Sequence, residues 1–319
     1  MHVSYTHYKS LKGQRYYSTT TYPILNPWFI TGFVDAEGAF MLTFNKTKEA
    51  RLGYRIRPIF QIQLHKKDVE LLRQIQQSLG GIGYITEGTK DCLAFRVRSL
   101  EEIIIIVAHF DKFPLITQKR ADFVLFKCVV AKLLRKEHLK LEGLQEVVNI
   151  RASMNLGLTD ALKVDFPETV PVIRPLVKIT EEINPQWLAG FTTGEGCFFI
   201  NIAKSSSNLI GYQVFLLYAL TQHSRDRKLL EIIQVYFGYG EVKESSTRIN
   251  ILTLKITKFS NIFEKIIPFY KKYPIQGVKS LDYKDWCEAA ELIKGKKHLT
   301  REGLERIKQI KARMNRGRL

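Results

Sequence analysis

Two glutamates occupy the same point of a motif that occurs twice in the chain. Glu37 ends the segment NPWFITGFVDAE, and Glu195 ends the segment NPQWLAGFTTGE. Each segment starts with Asn-Pro and is followed by Gly, which predicts short helices over 27–37 and 185–195. A carboxylate at the C-terminal end of a helix meets a dipole that is already negative, so two such groups together need a cation. The pattern therefore predicts that the pair binds a metal ion.

Small residues recur four positions apart in each motif, as Gly32 with Ala36 and as Gly190 with Gly194. Such spacing lets two helix backbones approach closely, so we expect the motif helices to pack on each other about a pseudo-twofold axis and to bring their glutamates together. A hard divalent ion such as Mg²⁺ suits a few oxygen ligands completed by water and phosphate. It would activate water and stabilise charge during phosphodiester hydrolysis. The alternative is that each glutamate is an ordinary exposed residue near a helix end.

The repeat continues far beyond the motif. The matched residues include His65, Asp68, Leu71, Met154, Asn155 and Gly157 in the first copy and His223, Asp226, Leu229, Met314, Asn315 and Gly317 in the second. The chain has 319 residues, 45% hydrophobic and 25% charged, which suffices for two folded domains. We expect repeats over 26–158 and 183–319, a proline-bearing linker over 159–182, and a basic arm or targeting segment over 1–25.

Each repeat alternates helices and strands in the order αββαββα. Alternating β-branched, aromatic and polar residues predict strands over 40–47, 54–64, 83–86, 93–98, 198–204, 212–220, 240–243 and 249–256. Helical spacing of apolar residues predicts a helix over 68–79. The predicted fold class is α+β, with two pseudo-symmetric repeats whose antiparallel sheets form a saddle and whose motif helices pack at the repeat interface.

The charge balance points to a polyanionic partner. Lys plus Arg number 49 and Asp plus Glu number 31, giving +18. A basic surface that serves only solubility is the alternative. Side chains on the strands that could read base edges or contact phosphates are Asn45, Lys46, Lys48, Arg55, Arg57, Gln61, Gln63, Arg96, Arg98, Asn201, Lys204, Gln213, Lys243, Arg248 and Lys255. Strands of about 10 residues span about 33 Å, so two repeats would cover roughly 20 base pairs of DNA.

The cysteines, the apolar runs and the first 25 residues indicate which classes of protein fit this chain. The four cysteines are far apart without a CxxC pair, so neither a zinc site nor a disulfide framework is predicted, and we expect buried, reduced thiols. No apolar run reaches the roughly 18 residues of a membrane span. Residues 1–25 contain Lys9, Lys12 and Arg15 but no acid, as in organellar transit peptides and in basic arms that lie on nucleic acid.

The two motif copies and the segments FQIQLHKKD and PLITQKRAD resemble single-chain LAGLIDADG homing endonucleases across residues 25–319. The resemblance implies that Glu37 and Glu195 are the metal ligands, with Ala36 and Gly194 beside them in the same site. A glutamine that the family often places near the scissile phosphates matches Gln222, whereas Leu64 occupies this position in the first repeat. The first acid of the motif is Asp35 in one copy and Thr193 in the other. An asymmetric active site follows.

Two further sets of matched residues bear on the chemistry. Lys119 and Lys279 could stabilise developing charge or orient water beside a metal-bound phosphate. The alternatives are a phosphate clamp or a solvated surface lysine. The His–Asp pairs at 65 and 68 and at 223 and 226 resemble metal ligands, but an Asp before an apolar helical run predicts an N-cap.

The resemblance implies a monomeric enzyme that cuts both strands of a long, asymmetric DNA site and promotes intron mobility, commonly in mitochondria or other organelles. The implied cofactor is Mg²⁺ or Mn²⁺, and Ca²⁺ is expected to support binding without cleavage. One alternative is a maturase that binds its host intron RNA. Another is a DNA-binding protein without cleavage activity, whose binding would not depend on Glu37 and which would form no product with any metal.

Overall fold

The computed structural model describes residues 5–7, 16–18, 22–179 and 182–318. The chain divides into two compact units, residues 1–178 and 179–319. Each unit contains a four-stranded antiparallel sheet together with helices. The predicted α+β class with two repeats is confirmed.

The first unit has the strand order β3-β4-β6-β5 in its four-stranded sheet. A separate pair of short strands, β1 (Tyr5–His7) and β2 (Tyr16–Ser18), precedes it, and most of the predicted arm or targeting segment lies outside the described residues. The other elements are α1 (Pro27–Glu37), β3 (Gly38–Lys46), β4 (Tyr54–His65), α2 (Val69–Ser78), β5 (Tyr84–Glu87), β6 (Cys92–Val97), α3 (Leu100–Lys112), α4 (Lys119–Leu134), α5 (Leu141–Ala152) and α6 (Asp160–Asp165).

The second unit has the equivalent strand order, β7-β8-β10-β9. Its elements are α7 (Pro185–Glu195), β7 (Gly196–Lys204), β8 (Tyr212–His223), α8 (Arg227–Phe237), β9 (Glu241–Glu244), β10 (Ile251–Ile256), α9 (Phe259–Asn261), α10 (Ile267–Lys272), α11 (Lys279–Lys294) and α12 (Arg301–Ala312). A π-helical turn, Ile262–Ile266, joins α9 to α10. The sheet registers also agree, because Gly38 lies opposite Ile62 and Gly196 lies opposite Leu220.

Aromatic side chains form the centre of each core. The ring of Phe40 packs against Phe60, Phe110, Phe123 and Phe126. The ring of Phe198 packs in the same way against Tyr218, Tyr270, Tyr283 and Trp286. Because side chains alternate along a strand, this packing buries one face of each sheet and leaves the residues between on the other face. We call that second face the open face.

The two motif helices begin and end as their sequences predict. Asn26 accepts a hydrogen bond from the backbone N–H of Trp28 at 2.9 Å, and Asn184 makes the same cap at the start of α7. At the other end, a Cβ on Gly38 would lie 2.9 Å from the carbonyl oxygen of Val34, and one on Gly196 would lie 2.5 Å from that of Thr192. Only glycine fits where each helix passes directly into a strand.

The capping predicted for the two His–Asp pairs is wrong. Neither Asp68 nor Asp226 makes a side-chain cap bond to its following helix. Instead, Nδ1 of His65 accepts from the N–H of Lys67, and Nδ1 of His223 accepts from the N–H of Arg225, each at 3.2 Å. A 3-10 turn precedes each helix, which moves the capping position from the aspartate to the histidine.

The segment predicted as a linker carries more structure than its prolines indicate. It contains α6, which Thr159 caps by accepting from the N–H of Leu162. Further along, Arg174 donates to both carboxylate oxygens of Asp122 at 2.8 Å. Residues 159–178 therefore belong to the first unit by contact, and residues 180 and 181 lie outside the described part.

The structure bears on two expectations about the cysteines, that they are reduced and that they are buried. All four cysteines are free, as expected, but the prediction that they are buried is wrong, because Cys128 and Cys197 are exposed and Cys92 and Cys287 are half-buried. Each lies on a solvent-facing part of its strand or helix. Among the described helices, none has the length and apolar character that crossing a membrane requires.

Candidate functional site

Each motif helix ends on its glutamate. Glu37 is the last residue of α1 and is exposed, and Glu195 is the last residue of α7 and is half-buried. Both carboxylates therefore stand where the last carbonyl groups of a helix lack intrahelical partners and carry partial negative charge. This placement concentrates oxygen donors at the end of each motif helix.

A lysine binds the carbonyl groups at each of these helix ends. Nζ of Lys119 donates to the carbonyl oxygens of Val34 at 2.8 Å and Ala36 at 3.2 Å. Nζ of Lys279 donates to the carbonyl oxygen of Thr192 at 3.3 Å and to that of Gly194. Both lysines are half-buried, so the alternative of a solvated surface lysine is wrong. Their ammonium groups offset the helix dipole within one residue of the glutamates.

In the first unit, a buried aspartate holds the loop that leads to the lysine. The carboxylate of Asp35 accepts from the backbone N–H groups of Ile116 at 3.0 Å and Thr117 at 3.3 Å, and from the Thr117 hydroxyl at 2.6 Å. Oγ1 of Thr117 in turn accepts from the N–H of Lys119 at 3.1 Å. A continuous set of hydrogen bonds therefore runs from the motif helix to the start of α4.

The second unit lacks most of this support. Thr193 replaces the aspartate, and its hydroxyl donates to the carbonyl oxygen of Ala189 at 2.8 Å while accepting only a long bond of 3.4 Å from the N–H of Gln276. Gly277, at a φ of +64°, replaces the threonine of the first loop. The second copy has lost a hydrogen-bonding carboxylate, as its sequence predicts.

A second set of hydrogen bonds holds the helix that carries each lysine. The carboxylate of Asp122 on α4 accepts a hydrogen bond from the backbone N–H of Asn155 at 2.8 Å. The side chain of Asn155 in turn donates to the carbonyl oxygen of Phe40. Asp282 on α11 makes the same bond with Asn315 at 3.0 Å. Sequence reasoning missed this role. The signal was present, because both asparagines belong to the repeated Met-Asn-x-Gly segment and adopt positive φ angles.

The donor set at each helix end fits a hard divalent ion that keeps most of its shell for water and phosphate. Each unit offers one carboxylate and one carbonyl oxygen, on Glu37 with Ala36 and on Glu195 with Gly194. The lysine bond leaves one lone pair on each carbonyl oxygen. Across the described residues, no three His, Cys, Asp or Glu side chains cluster as a complete metal site. The arrangement suits a hard divalent ion better than metals that need several protein ligands.

The open face of the first sheet presents hydrogen-bonding side chains. Arg55, Arg57, Gln61 and Gln63 alternate along β4 with the buried Phe60 row. Asn45 lies opposite Arg55, and Arg96 lies opposite Gln61. Nε of Arg96 donates to Oε1 of Gln61 at 2.6 Å, and its Nη1 donates to Thr86 at 2.9 Å. These bonds fix the guanidinium in a defined orientation.

In the second sheet, Asn201, Gln213, Lys243 and Lys255 share the open face. The prediction of one common face is wrong for Lys46 and Lys204, because they directly follow open-face positions and so point to the other side of their strands. The ammonium of Lys46 pairs there with Asp165 at 2.6 Å.

Four more of the predicted residues lie at strand ends or in turns. Lys48 and Arg248 are in the turns between strands, and Arg98 directly follows β6, where its guanidinium lies 5.7 Å from the ring centroid of Tyr84. Gln222 is near the end of β8 on the helix-backed side, and Leu64 has the same position in β4. The side chain predicted at the scissile phosphates is therefore present in one repeat only.

Comparison with known proteins identifies a family. Residues 30–130 and 188–290 match the family described as LAGLIDADG endonuclease. The chain is 39% identical to probable intron-encoded endonuclease 3 of Neurospora crassa over 91% of its length, and 40% identical to probable intron-encoded endonuclease 2 of that organism over 90%. It spans 54% and 64% of those two relatives.

Solved structures resemble the chain over nearly all of their own length. I-SmaMI bound to cleaved DNA is 42% identical, with a TM-score of 0.89 over 92% of this chain and 98% of that one. I-SmaMI has also been solved on an uncleaved DNA target with calcium ions, and as a variant with two lysines replaced by alanine. I-GzeII in complex with its DNA target is 42% identical, with a TM-score of 0.86, and the match covers 92% of this chain and 100% of I-GzeII.

Proposed function

The chain belongs to the LAGLIDADG endonuclease family, and on this premise we propose that it is an intron-encoded homing endonuclease that cuts both strands of a long, asymmetric DNA site. The observation that carries the proposal is the repeated helix end, where a glutamate follows a carbonyl group bound by a lysine. The likeness to DNA-bound structures supports it.

We propose that Glu37 and Glu195, with the carbonyl groups of Ala36 and Gly194, would hold Mg²⁺ or Mn²⁺. A divalent ion bound there would activate water and stabilise charge on the phosphate. Ca²⁺ should support binding without cleavage, in keeping with the calcium structure of I-SmaMI on uncleaved DNA. Exposed or half-buried carboxylates at the helix ends are accessible to such an ion.

The lysines have a second role in this proposal. The ammonium groups of Lys119 and Lys279 stay fixed by helix-end carbonyl groups, so each would place a positive charge near the reacting phosphate without reorganisation. The lysine variants solved for I-SmaMI make this pair a natural target for substitution. Gln222 would orient water or phosphate in the second repeat only, so we expect the two strands to be cut at different rates.

The open faces of the sheets are the proposed DNA-binding surfaces. The +18 net charge favours binding to the phosphate backbone, and the Arg and Gln side chains of β4 suit base edges in the major groove. Relatives from an ND4 intron of Podospora anserina and from mitochondria of Saccharomyces cerevisiae support a mitochondrial origin. We propose that the chain acts as a monomer, because one chain supplies both motifs.

The test is a selection of bound duplexes from a randomised DNA pool in Ca²⁺, followed by transfer of the bound pool to Mg²⁺ and mapping of breaks. Defined double-strand breaks within one enriched long site are the expected result. Enrichment without breaks would support a DNA-binding protein without cleavage activity. If no duplex is enriched, the proposal fails, and binding to the host intron RNA becomes the next measurement.

A further inference from the structure

The open faces of the two sheets differ in chemistry at matched positions. Along β4 the open-face residues are Arg55, Arg57, Ile59, Gln61 and Gln63. Along β8, which has the same register against its neighbour, they are Gln213, Phe215, Leu217, Ala219 and Thr221. Phe215 thus replaces Arg57, and Ala219 replaces Gln61. The central strand of the second sheet has lost hydrogen-bonding groups where the first sheet has two.

The apolar character continues onto the edge strand. Phe199 lies directly opposite Leu217 and is 36% exposed. Phe215 and Leu217 are half-buried on the same face. We call Phe199, Phe215 and Leu217 the apolar stripe. The stripe lies on the open face, which is the proposed DNA-binding surface. Along β8, Gln213 and Thr221 are the polar residues at either end of the row.

We infer that the apolar stripe reads thymine methyl groups in the half of the DNA site that the second repeat binds. This inference rests on the proposed function. In the major groove only thymine presents a methyl group, and apolar side chains such as Phe are its partners. Every base pair has hydrogen-bonding groups on its major-groove edge, and these lose water against the stripe, but only thymine also buries a methyl group there. The stripe therefore favours thymine over bases that bring no methyl group.

Cations around the stripe favour DNA over another occupant. Lys255 lies on the open face of β10, opposite Ala219, and Lys243 lies on β9 opposite Thr253, where it pairs with Glu241 at 2.7 Å. Arg248 is exposed in the turn between these strands. Such side chains can bind phosphates while the stripe contacts bases. A surface with an apolar centre and a basic margin fits a duplex groove.

The first sheet keeps apolar residues at two of the three matched positions, Met41 and Ile59, but has Arg57 where the stripe has Phe215. Arg96 is held by Gln61 and Thr86, with free donor capacity on its guanidinium for a guanine edge. We therefore expect the two halves of the site to differ in composition. The half read by the second repeat should be enriched in thymine at the positions that face the stripe.

The experiment replaces thymine by deoxyuridine in the selected duplex, one half-site at a time, and measures affinity in Ca²⁺. Deoxyuridine removes only the C5 methyl group and keeps every hydrogen-bonding group. Each methyl group buried against the stripe should contribute about fourfold in affinity, as expected for one buried CH₂. Replacement in the half that the second repeat binds should weaken binding by this factor for each methyl group, whereas replacement in the other half should have a smaller effect, because Arg57 interrupts the apolar positions there.

The variant Phe215→Gln with Leu217→Gln assigns the effect to the stripe. It should lose the dependence on thymine methyl groups, while circular dichroism checks that it folds. Gln213→Ala is the matched control, because it changes the same strand and face outside the stripe. This control should bind more weakly overall but keep the thymine dependence.

Three outcomes would overturn the inference in distinguishable ways. If deoxyuridine changes affinity in neither half, or if its effect survives in the double variant, the stripe does not read thymine and the proposed function still stands. If the chain dimerises and the double variant abolishes the dimer, the stripe binds a second copy. If no duplex is enriched at all, the proposed function fails and the inference fails with it.

Discussion

The two repeats share one backbone plan but bury their polar groups in different places. In the first, the Thr31 hydroxyl donates to the carbonyl oxygen of Phe113 at 2.9 Å and lies 3.2 Å from Nε2 of His109. The matched residues of the second are Ala189 and Phe269, which are apolar. A polar pair in one core has been replaced by an apolar pair in the other.

One helical turn further along the motif helix, the second repeat instead has polar residues where the first has apolar ones. Thr192, Tyr218 and Tyr270 bury three hydroxyl groups that bond to one another at 2.6–3.0 Å. The matched residues in the first repeat are Val34, Phe60 and Phe110. Because an unpartnered buried polar group is costly, such groups are gained and lost as complete sets. The C-terminal ends of the motif helices differ in a similar way, with Asp35 and Thr117 in the first repeat and Thr193 and Gly277 in the second.

The largest expected effect tests whether both helix ends are needed. Glu37→Gln and Glu195→Gln should each lower the cleavage rate in Mg²⁺ by about a thousandfold, because each removes the charge of a proposed metal ligand. Single-turnover cleavage of the selected duplex measures this, and binding in Ca²⁺ checks folding. Glu264→Gln, at an exposed acid away from the helix ends, is the control. Unchanged cleavage by both site variants would refute the assignment.

His109 should give the first repeat a stability that depends on pH. Burial lowers the pKa of His109 from 6.5 to about 4. The unfolded chain therefore takes up the proton first as pH falls, and stability should decline from about pH 6.5 down to about pH 4, by about 3 kcal/mol. Urea unfolding at pH 7.5 and pH 4 measures the loss.

The control for this prediction is His109→Phe, which copies the second repeat. It should remove most of the decline and leave smaller contributions from His138 and His298, whose pKa values burial also lowers, and from carboxylates such as Glu137, whose pKa the hydrogen bond from Arg135 lowers. An equally steep decline in the variant would show that His109 is not the group responsible.

The lysines should matter for cleavage more than for binding. Lys119→Met and Lys279→Met should each slow cleavage by about a hundredfold, since each removes a fixed positive charge from the proposed phosphate site. Affinity in Ca²⁺ should change by less than about tenfold. Strand-resolved rates would sharpen the comparison, because each lysine belongs to one repeat. A loss of binding as large as the loss of cleavage would instead indicate a phosphate clamp.

The smallest effect concerns the hydroxyl cluster in the second core. Tyr270→Phe alone should destabilise by about 1–2 kcal/mol, because it leaves buried hydroxyl groups short of a partner. The triple variant Thr192→Val, Tyr218→Phe and Tyr270→Phe copies the first repeat and should lie within about 1 kcal/mol of the parent. Chemical unfolding measures both. An additive loss in the triple variant would contradict the exchange of complete sets.

Local signals made much of this fold predictable. The motif helices follow from Asn-Pro at one end and Gly at the other, and the predicted strands differ from the observed ones by at most three residues at either end. The face assignment failed at Lys46 and Lys204 because neighbouring strand residues point to opposite sides. Helix α6 was missed because it is short and its packing comes from contacts with β3 and β4, such as that of Lys46 with Asp165.

The candidate site was predictable in its residues but not in its contacts. The two glutamates and two lysines stand out because they recur in register. The bonds from Lys119 to Val34 and Ala36 join residues more than 80 positions apart, so no local pattern reveals them. The same holds for Asp35 and its loop. Sequence names the chemical groups, whereas tertiary structure decides which of them are held in place.

The most direct measurement follows each strand of the selected duplex separately during cleavage in Mg²⁺, with the two strands carrying different labels and the metal concentration titrated. Both strands should be cut, at unequal rates, because Asp35 supports only the first site and Gln222 belongs only to the second. Absence of cleavage would contradict the proposed endonuclease. Equal rates at every metal concentration would contradict the functional asymmetry of the two repeats.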